Sequence, residues 1–283
     1  MRVVSLLPAA TEMVAAIGGA GLLVGVSHEC DYPPEVRGLP RVTRSLVDSA
    51  LPSRDIDASV AAAKRRGVSP IEVDVAMVAR LRPDVLIGQS LCDVCAASGP
   101  ELERVVTALV PIPWVVTLHS HTLAEVLGDI AKVGAAIGLR DEADEVVAGL
   151  GDRLRRLEHR RLRGAAPLHV LVLEWLDPPY VAGHWVPELV ALAGGEDVGN
   201  VAGAASVARP WRELLGLAPD LVIVAVCGFD ASRARQELAL LADGDAAAVL
   251  ARRVEVIDGT AYTSRPGPRL VDAAELLARL MDA

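Results

Sequence analysis

Among the soft or borderline metal donors of this sequence, His28, Cys30, Cys92, Cys95 and His184 are the candidates to hold a transition metal. Cys92 and Cys95 are separated by two residues in QSLCDVCAASG, a common spacing for paired ligands of zinc or another transition metal. With His28 and Cys30 from SHECDYPPEV they make one candidate metal set, beside which Glu29 or Glu174 could act as acid or base. The same pair also fits a thiol-disulfide role, because a thiol opening a helix is acidified. Asp93 between the cysteines opposes that role by disfavouring a thiolate. Cys30 and Cys227 read equally well as small buried hydrophobes.

A second concentration of chemistry lies in EWLDPPYVAGHW, residues 174–185. The chain has only four Trp, three Tyr and one Phe, yet Trp175, Tyr180 and Trp185 crowd this proline-stiffened loop with His184. Such crowding fits either a ligand wall or an apolar plug. Tyr262 and Arg265 occupy a comparable loop, DGTAYTSRPGPR, where the guanidinium could meet a carboxylate, amide or phosphate, or cap a helix. Glu174, Tyr32 of the DYPPEV loop and Gln89 at the head of the cysteine loop complete the candidate ligand-binding residues. Nucleophile elbows and Walker loops are missing from the sequence. Gly18, Gly19 and Gly21 follow a helix instead of opening one, which is wrong for dinucleotide binding.

These residues need elements to hold them, and the sequence alternates strand and helix patterns. RVVSLL (2–7), LLVGVS (22–27), DVLIG (84–88) and WVVTL (114–118) read as buried strands. Pro8 opens the first helix, with Thr11 or a neighbour as its cap, and Gly18 with Gly19 stops it. Helices are expected near 56–66, 74–82, 100–109 and 122–137. The apolar positions Ala143, Val146, Val147, Leu150, Leu154 and Leu157 keep helical spacing, so one long helix should run over 141–163. Strands at 169–175, 220–226 and 254–258 then alternate with helices at 187–194, 210–217, 231–242 and from about 268.

The fold class is therefore α/β: an N-terminal lobe over 1–140, a connecting helix over 141–163 and a C-terminal lobe over 164–283, both with mostly parallel sheets. Open sheets of this kind bind ligands outside the carboxyl ends of their strands, and those ends carry His28, Cys92, Glu174 and Cys227.

Composition narrows the partners. A formal charge of −9 argues against nucleic acid, which needs clustered positive surface, and the basic run RLRRLEHRRLRG (153–164) reads as a solvated helix face. The longest apolar stretch, LVIVAVC at 221–227, is far too short for a membrane span. MRVVSLLPAATEMV lacks the layout of a secretory signal, so a cytoplasmic protein with reduced cysteines is expected.

At SLLPAATEMVAAIG, VGVSHECDYPPEV and RPGPRLVDAAELLA the chain resembles the cobalamin and iron-siderophore group of periplasmic binding proteins, the substrate receptors of ABC importers. DYPPEV, RPDVLI, DPPYVAG, AGGEDV and PWRELL extend the likeness toward the cobalamin receptors. The resemblance implies two Rossmann-like lobes joined by one long helix, with little hinge motion. It further implies a ligand, cobalamin or another corrinoid, held in the interlobe cleft without chemistry.

Three departures qualify that implication. Family receptors dock on the permease through a glutamate of each lobe, and the matching positions hold Ala76 and Arg212, with Asp74 and Glu213 within two residues. A segment near 46–70 is inserted, together with HEC, CDVC and VCGFD. The chain also begins at its first strand. These features resemble a cytoplasmic-type subgroup labelled cobalamin-binding. Either His28 or His184 could then supply an upper cobalt ligand.

Overall fold

The computed structural model describes residues 1–89, 99–161 and 166–282. The chain divides into two compact units, and the division is not contiguous. The first comprises Met1–Leu51, Ala58–Ser120 and Ala124–Gly149, and the second Pro52–Asp57, His121–Leu123 and Leu150–Ala283.

The first unit is built on β1 (Val3–Ser5), α1 (Pro8–Ala16), β2 (Leu23–Val26), β3 (Thr43–Ser45), α2 (Ser53–Arg65), β4 (Ile71–Val73), α3 (Val75–Leu81), β5 (Val85–Gln89), α4 (Gly99–Thr107), β6 (Trp114–Leu118) and α5 (Leu123–Ile137). Its main sheet is wholly parallel in the order β2-β1-β5-β6, with Val3 opposite Leu23 on one side and Val85 on the other. All three residues of β1 and all five of β5 are buried, which is why Val3–Val4 and Val85–Ile87 are apolar without alternation. Val4, Leu6, Val42, Val78, Leu86 and Leu102 form the core around them.

The long helix α6 (Arg140–Arg161) contributes its first ten residues to the first unit and the remainder to the second. Residues 162–163 of the expected helix lie outside the described residues.

The second unit adds β7 (His169–Leu176), β8 (Pro179–Val181), α7 (Val186–Ala193), β9 (Glu196–Asp197), β10 (Val207–Ala208), α8 (Trp211–Gly216), β11 (Leu221–Val224), α9 (Ala231–Leu240), α10 (Gly244–Leu250), β12 (Arg253–Val256), α11 (Gly259–Tyr262) and α12 (Leu270–Asp282). Its sheet runs β10-β8-β7-β11-β12, with β9 also on β7. The β7, β11 and β12 ladders are parallel, whereas β8 and β10 fold back antiparallel. Leu171, Leu173, Leu176, Trp211, Leu214, Val222 and Val224 form its core, and Ile56 from the 52–57 segment packs against it.

Two local expectations change. Thr11 does not cap α1: Leu7 is the N-cap, without a side-chain bond, and the Thr11 hydroxyl turns back to the Leu7 carbonyl inside the protein. Leu7 has no side-chain acceptor to offer, and Pro8 at the first helical position fixes its φ and removes one orphan N–H. The antiparallel pair of β3 with β4 was not visible in the sequence, because three-residue strands leave too few alternations to read. Gly18, at φ +81°, ends α1 as expected.

Candidate functional site

The carboxyl end of β2 delivers His28 into a polar nest. Thr43, the first residue of β3, places its Oγ1 2.7 Å from the His28 Nδ1 and accepts the His28 main-chain N–H at 2.9 Å. The Thr43 hydroxyl donates to Ser27 Oγ at 3.1 Å. Its one proton is thereby used, so Nδ1 must be the donor in the ring contact. A neutral His28 then carries its lone pair on Nε2, which is buried without a hydrogen-bond partner, 3.4 Å from Glu29 Oε1. Burial lowers the pKa of this imidazole; Glu29 opposes the shift and Arg41 adds to it.

Cys30 does not join His28. It is 1% exposed, and its Sγ lies 3.1 Å from the Thr11 hydroxyl. Arg41 ties the loop down by donating to the Ser27 and Cys30 carbonyls. Cys92 and Cys95 lie outside the described residues, and among the described residues no three His, Cys, Asp or Glu side chains group as metal ligands. Gln89 ends β5 as a buried residue, while Tyr32 is 45% exposed.

In the second unit, two of the aromatic candidates are already engaged by the chain itself. Trp175 donates its indole N–H to the Ser53 carbonyl at 3.2 Å and lies 5.4 Å, centroid to centroid, from Phe229. The Tyr180 hydroxyl donates to Asp57 at 3.4 Å, and burial first, then Asp57, raises its pKa. Ser53 also gives its N–H to Glu237, and Arg54 pairs with Asp177 at 2.8 Å. The first turn of α2, in the segment read as an insertion, thus covers surface that sequence reasoning offered to a ligand.

Trp185 is 5% exposed and donates to the Thr263 carbonyl at 2.8 Å, so it serves as a plug anchored at its polar tip. Arg265 is 7% exposed, and Tyr262, closing α11, is half-buried. Glu174 is half-buried on β7, and its carbonyl accepts the Cys227 N–H.

His184 adopts φ +54°, a left-handed conformation that is costly for a residue with a Cβ. It is held there by its N–H to the Ala204 carbonyl at 2.6 Å and by the Gly203 N–H to its own carbonyl at 2.9 Å. The preceding Gly183 must be glycine, since a Cβ would lie 2.4 Å from the Ala204 oxygen. Asp197 organises the same loop by accepting the N–H groups of Gly199 and Asn200. Its other oxygen is buried without a partner, and desolvation pushes its pKa up to about 6.

Sequence reasoning passed over His121, whose ring centroid lies 5.4 Å from that of His184. The available signal was the HSH triplet, 119–121, directly after the strand WVVTL.

Two α/β units that share one long helix, with His28, His121 and His184 in the loops that follow their strands, are the architecture of a substrate-binding class of protein. More particularly, the chain belongs to the periplasmic binding protein family, whose model matches residues 3–241. The vitamin B12-binding protein of Pectobacterium carotovorum is 24% identical over 202 residues, 70% of this chain. The match spans 61% of that relative's own length.

Among solved structures, the periplasmic vitamin B12 binding protein of Vibrio cholerae gives a TM-score of 0.71 at 20% identity, covering 99% of this chain and 96% of that one. A periplasmic haem binding protein from Pseudomonas aeruginosa gives 0.73 at 24%, covering 99% and 91%. The apo periplasmic haem-binding protein of Roseiflexus gives 0.71 at 20%, covering 98% and 96%. At such identities the structural likeness establishes the fold.

This membership corrects the cytoplasmic placement: the family and these relatives are periplasmic binding proteins. Residues 3–5 and 8–16 form the first strand and helix, so the opening segment reflects folding and carries no information on export. The family is one of binders, in keeping with a non-catalytic reading of the chain.

Proposed function

We propose that this chain is an importer-type receptor that carries a metal-centred tetrapyrrole, cobalamin foremost, without altering it. The family supports a carried solute, and the vitamin B12-binding relatives in both sequence and structure support a corrinoid. The observation that carries the reading furthest is the His28 imidazole. Its Nδ1 proton is committed to Thr43, leaving a buried Nε2 lone pair beside a carboxylate oxygen. Metal-ligating histidines are commonly oriented through their second nitrogen in this way. A cationic metal at Nε2 would use the lone pair and relieve its repulsion with Glu29.

Haem is the second reading, favoured by the haem-binding structural neighbours at comparable similarity. A metalloenzyme built on His28, Cys30, Cys92 and Cys95 is not favoured, because Cys30 is turned into the core against Thr11. Permease docking falls to other groups than Ala76 and Arg212. Of the two neighbouring carboxylates, Asp74 is occupied as the N-cap of α3, while Glu213 is exposed in the first turn of α8.

The test is a titration of purified protein with hydroxocobalamin and separately with haemin, following heat and visible absorption together. Binding of one hydroxocobalamin per chain at micromolar or tighter affinity, with a spectral shift abolished in His28→Ala, is expected. Haemin binding alone would select the second reading, and binding of neither would end both.

A further inference from the structure

His121 and His184 meet inside the second unit, and nothing in the tetrapyrrole reading requires them to. Both are held by their backbones. The segment carrying His121 is fixed by the Leu123 N–H, which donates to Glu188 Oε2 at 2.6 Å. A Cβ on Gly203 would lie 3.6 Å from the Thr122 methyl, so the 203–204 turn also lies against this segment. That same turn holds His184 at φ +54° through two hydrogen bonds. Gly or Asn would adopt this conformation at lower energy. The His184 Nδ1 is buried and without a hydrogen-bond partner.

The ring spacing discriminates between ligation modes. With a metal–nitrogen bond of about 2.0–2.1 Å, an imidazole centroid stands about 3.2 Å from the ion. Two such rings at a tetrahedral angle then lie about 5.2 Å apart, and two rings on opposite sides of a tetrapyrrole metal about 6.4 Å apart. The observed centroids are 5.4 Å apart with planes at 45°, a spacing that accommodates the first arrangement and is too short for the second.

We propose that His121 and His184 form a two-imidazole site for a bare divalent transition-metal ion such as zinc or cobalt(II), with ligands other than His28. Among the described residues no third His, Cys, Asp or Glu side chain completes a ligand group. Burial and the neighbouring His121 lower the His184 pKa, which keeps its imidazole neutral and able to donate at neutral pH.

The test is calorimetric titration of chelator-stripped full-length protein with zinc chloride, without any tetrapyrrole, repeated with cobalt(II) to read the ligand-field spectrum. One zinc per chain is expected, with affinity falling at least about tenfold in His121→Ala and in His184→Asn, and unchanged in His159→Ala on the exposed face of α6. His184→Asn keeps a residue that tolerates positive φ; should it fail to fold, His121→Ala alone decides. The proposal is overturned if no zinc binds, or if zinc binding survives loss of His121, or if His159→Ala weakens it as much. Because no tetrapyrrole is present, the outcome is independent of the hydroxocobalamin titration.

Discussion

Thr43 Oγ1 lies 2.7 Å from the ring Nδ1 of His28 and 2.9 Å from its main-chain N–H, so one hydroxyl fixes both the tautomer and the position of that imidazole. Thr43→Val keeps the shape and removes the acceptor, leaving buried donors unsatisfied at a cost of about 1–3 kcal/mol. Urea denaturation should register that loss, and Thr43→Ser should recover most of it. On the proposed function, Thr43→Val should also weaken hydroxocobalamin binding while leaving one site per chain.

His184 tests backbone strain in the second unit. A β-branched residue at φ +54° is expected to cost about 1–3 kcal/mol, so His184→Val should unfold at clearly lower denaturant than wild type. His184→Gly, which meets no such penalty, should stay within about 1 kcal/mol of wild type. Equal stability of the two variants would mean that φ contributes nothing here.

Asp197 and the two half-buried histidines oppose one another in their pH dependence. Asp197 has a folded pKa near 6 against an ordinary 3.8, so the folded state holds its proton more tightly and stability is lost as pH rises from about 4 through 6. The shift corresponds to a loss of the order of 2–3 kcal/mol. His28 and His184 have lowered folded pKa values, so their contribution is present above 6.5 and is lost as pH falls. Asp197→Asn should therefore be more stable than wild type at pH 7 and should show a steeper rise of stability with pH between 5 and 6.5. Chemical denaturation across that range reads both effects.

The 52–57 segment is expected to be integral to the second unit. Ile56→Ala removes apolar volume packed against the Leu171 core and should cost about 2 kcal/mol. The indole of Trp175, bonded to the Ser53 carbonyl, should report the change as altered tryptophan emission before global unfolding. An unchanged spectrum and midpoint would show that this turn contributes little to the packing.

Much of the fold was legible because parallel strands buried on both faces spell continuous apolar runs. WVVTL was read with its observed bounds, Trp114–Leu118, and the long helix to within one residue at its start. Pro8 and Gly18 marked helix ends for reasons local to the backbone. What the sequence by itself determined was therefore the alternation of elements, the type of fold and the family. The tertiary structure alone decided which side chains meet. Cys30 lies two residues from His28 but packs on Thr11, whereas Ser53 and Trp175, 122 positions apart, share a hydrogen bond. The His121–His184 pair joins residues 63 positions apart in the same way. Such contacts follow from how a turn is clamped across the fold, as Gly203 and Ala204 clamp His184, and neither local propensity nor hydrophobic period encodes that distance.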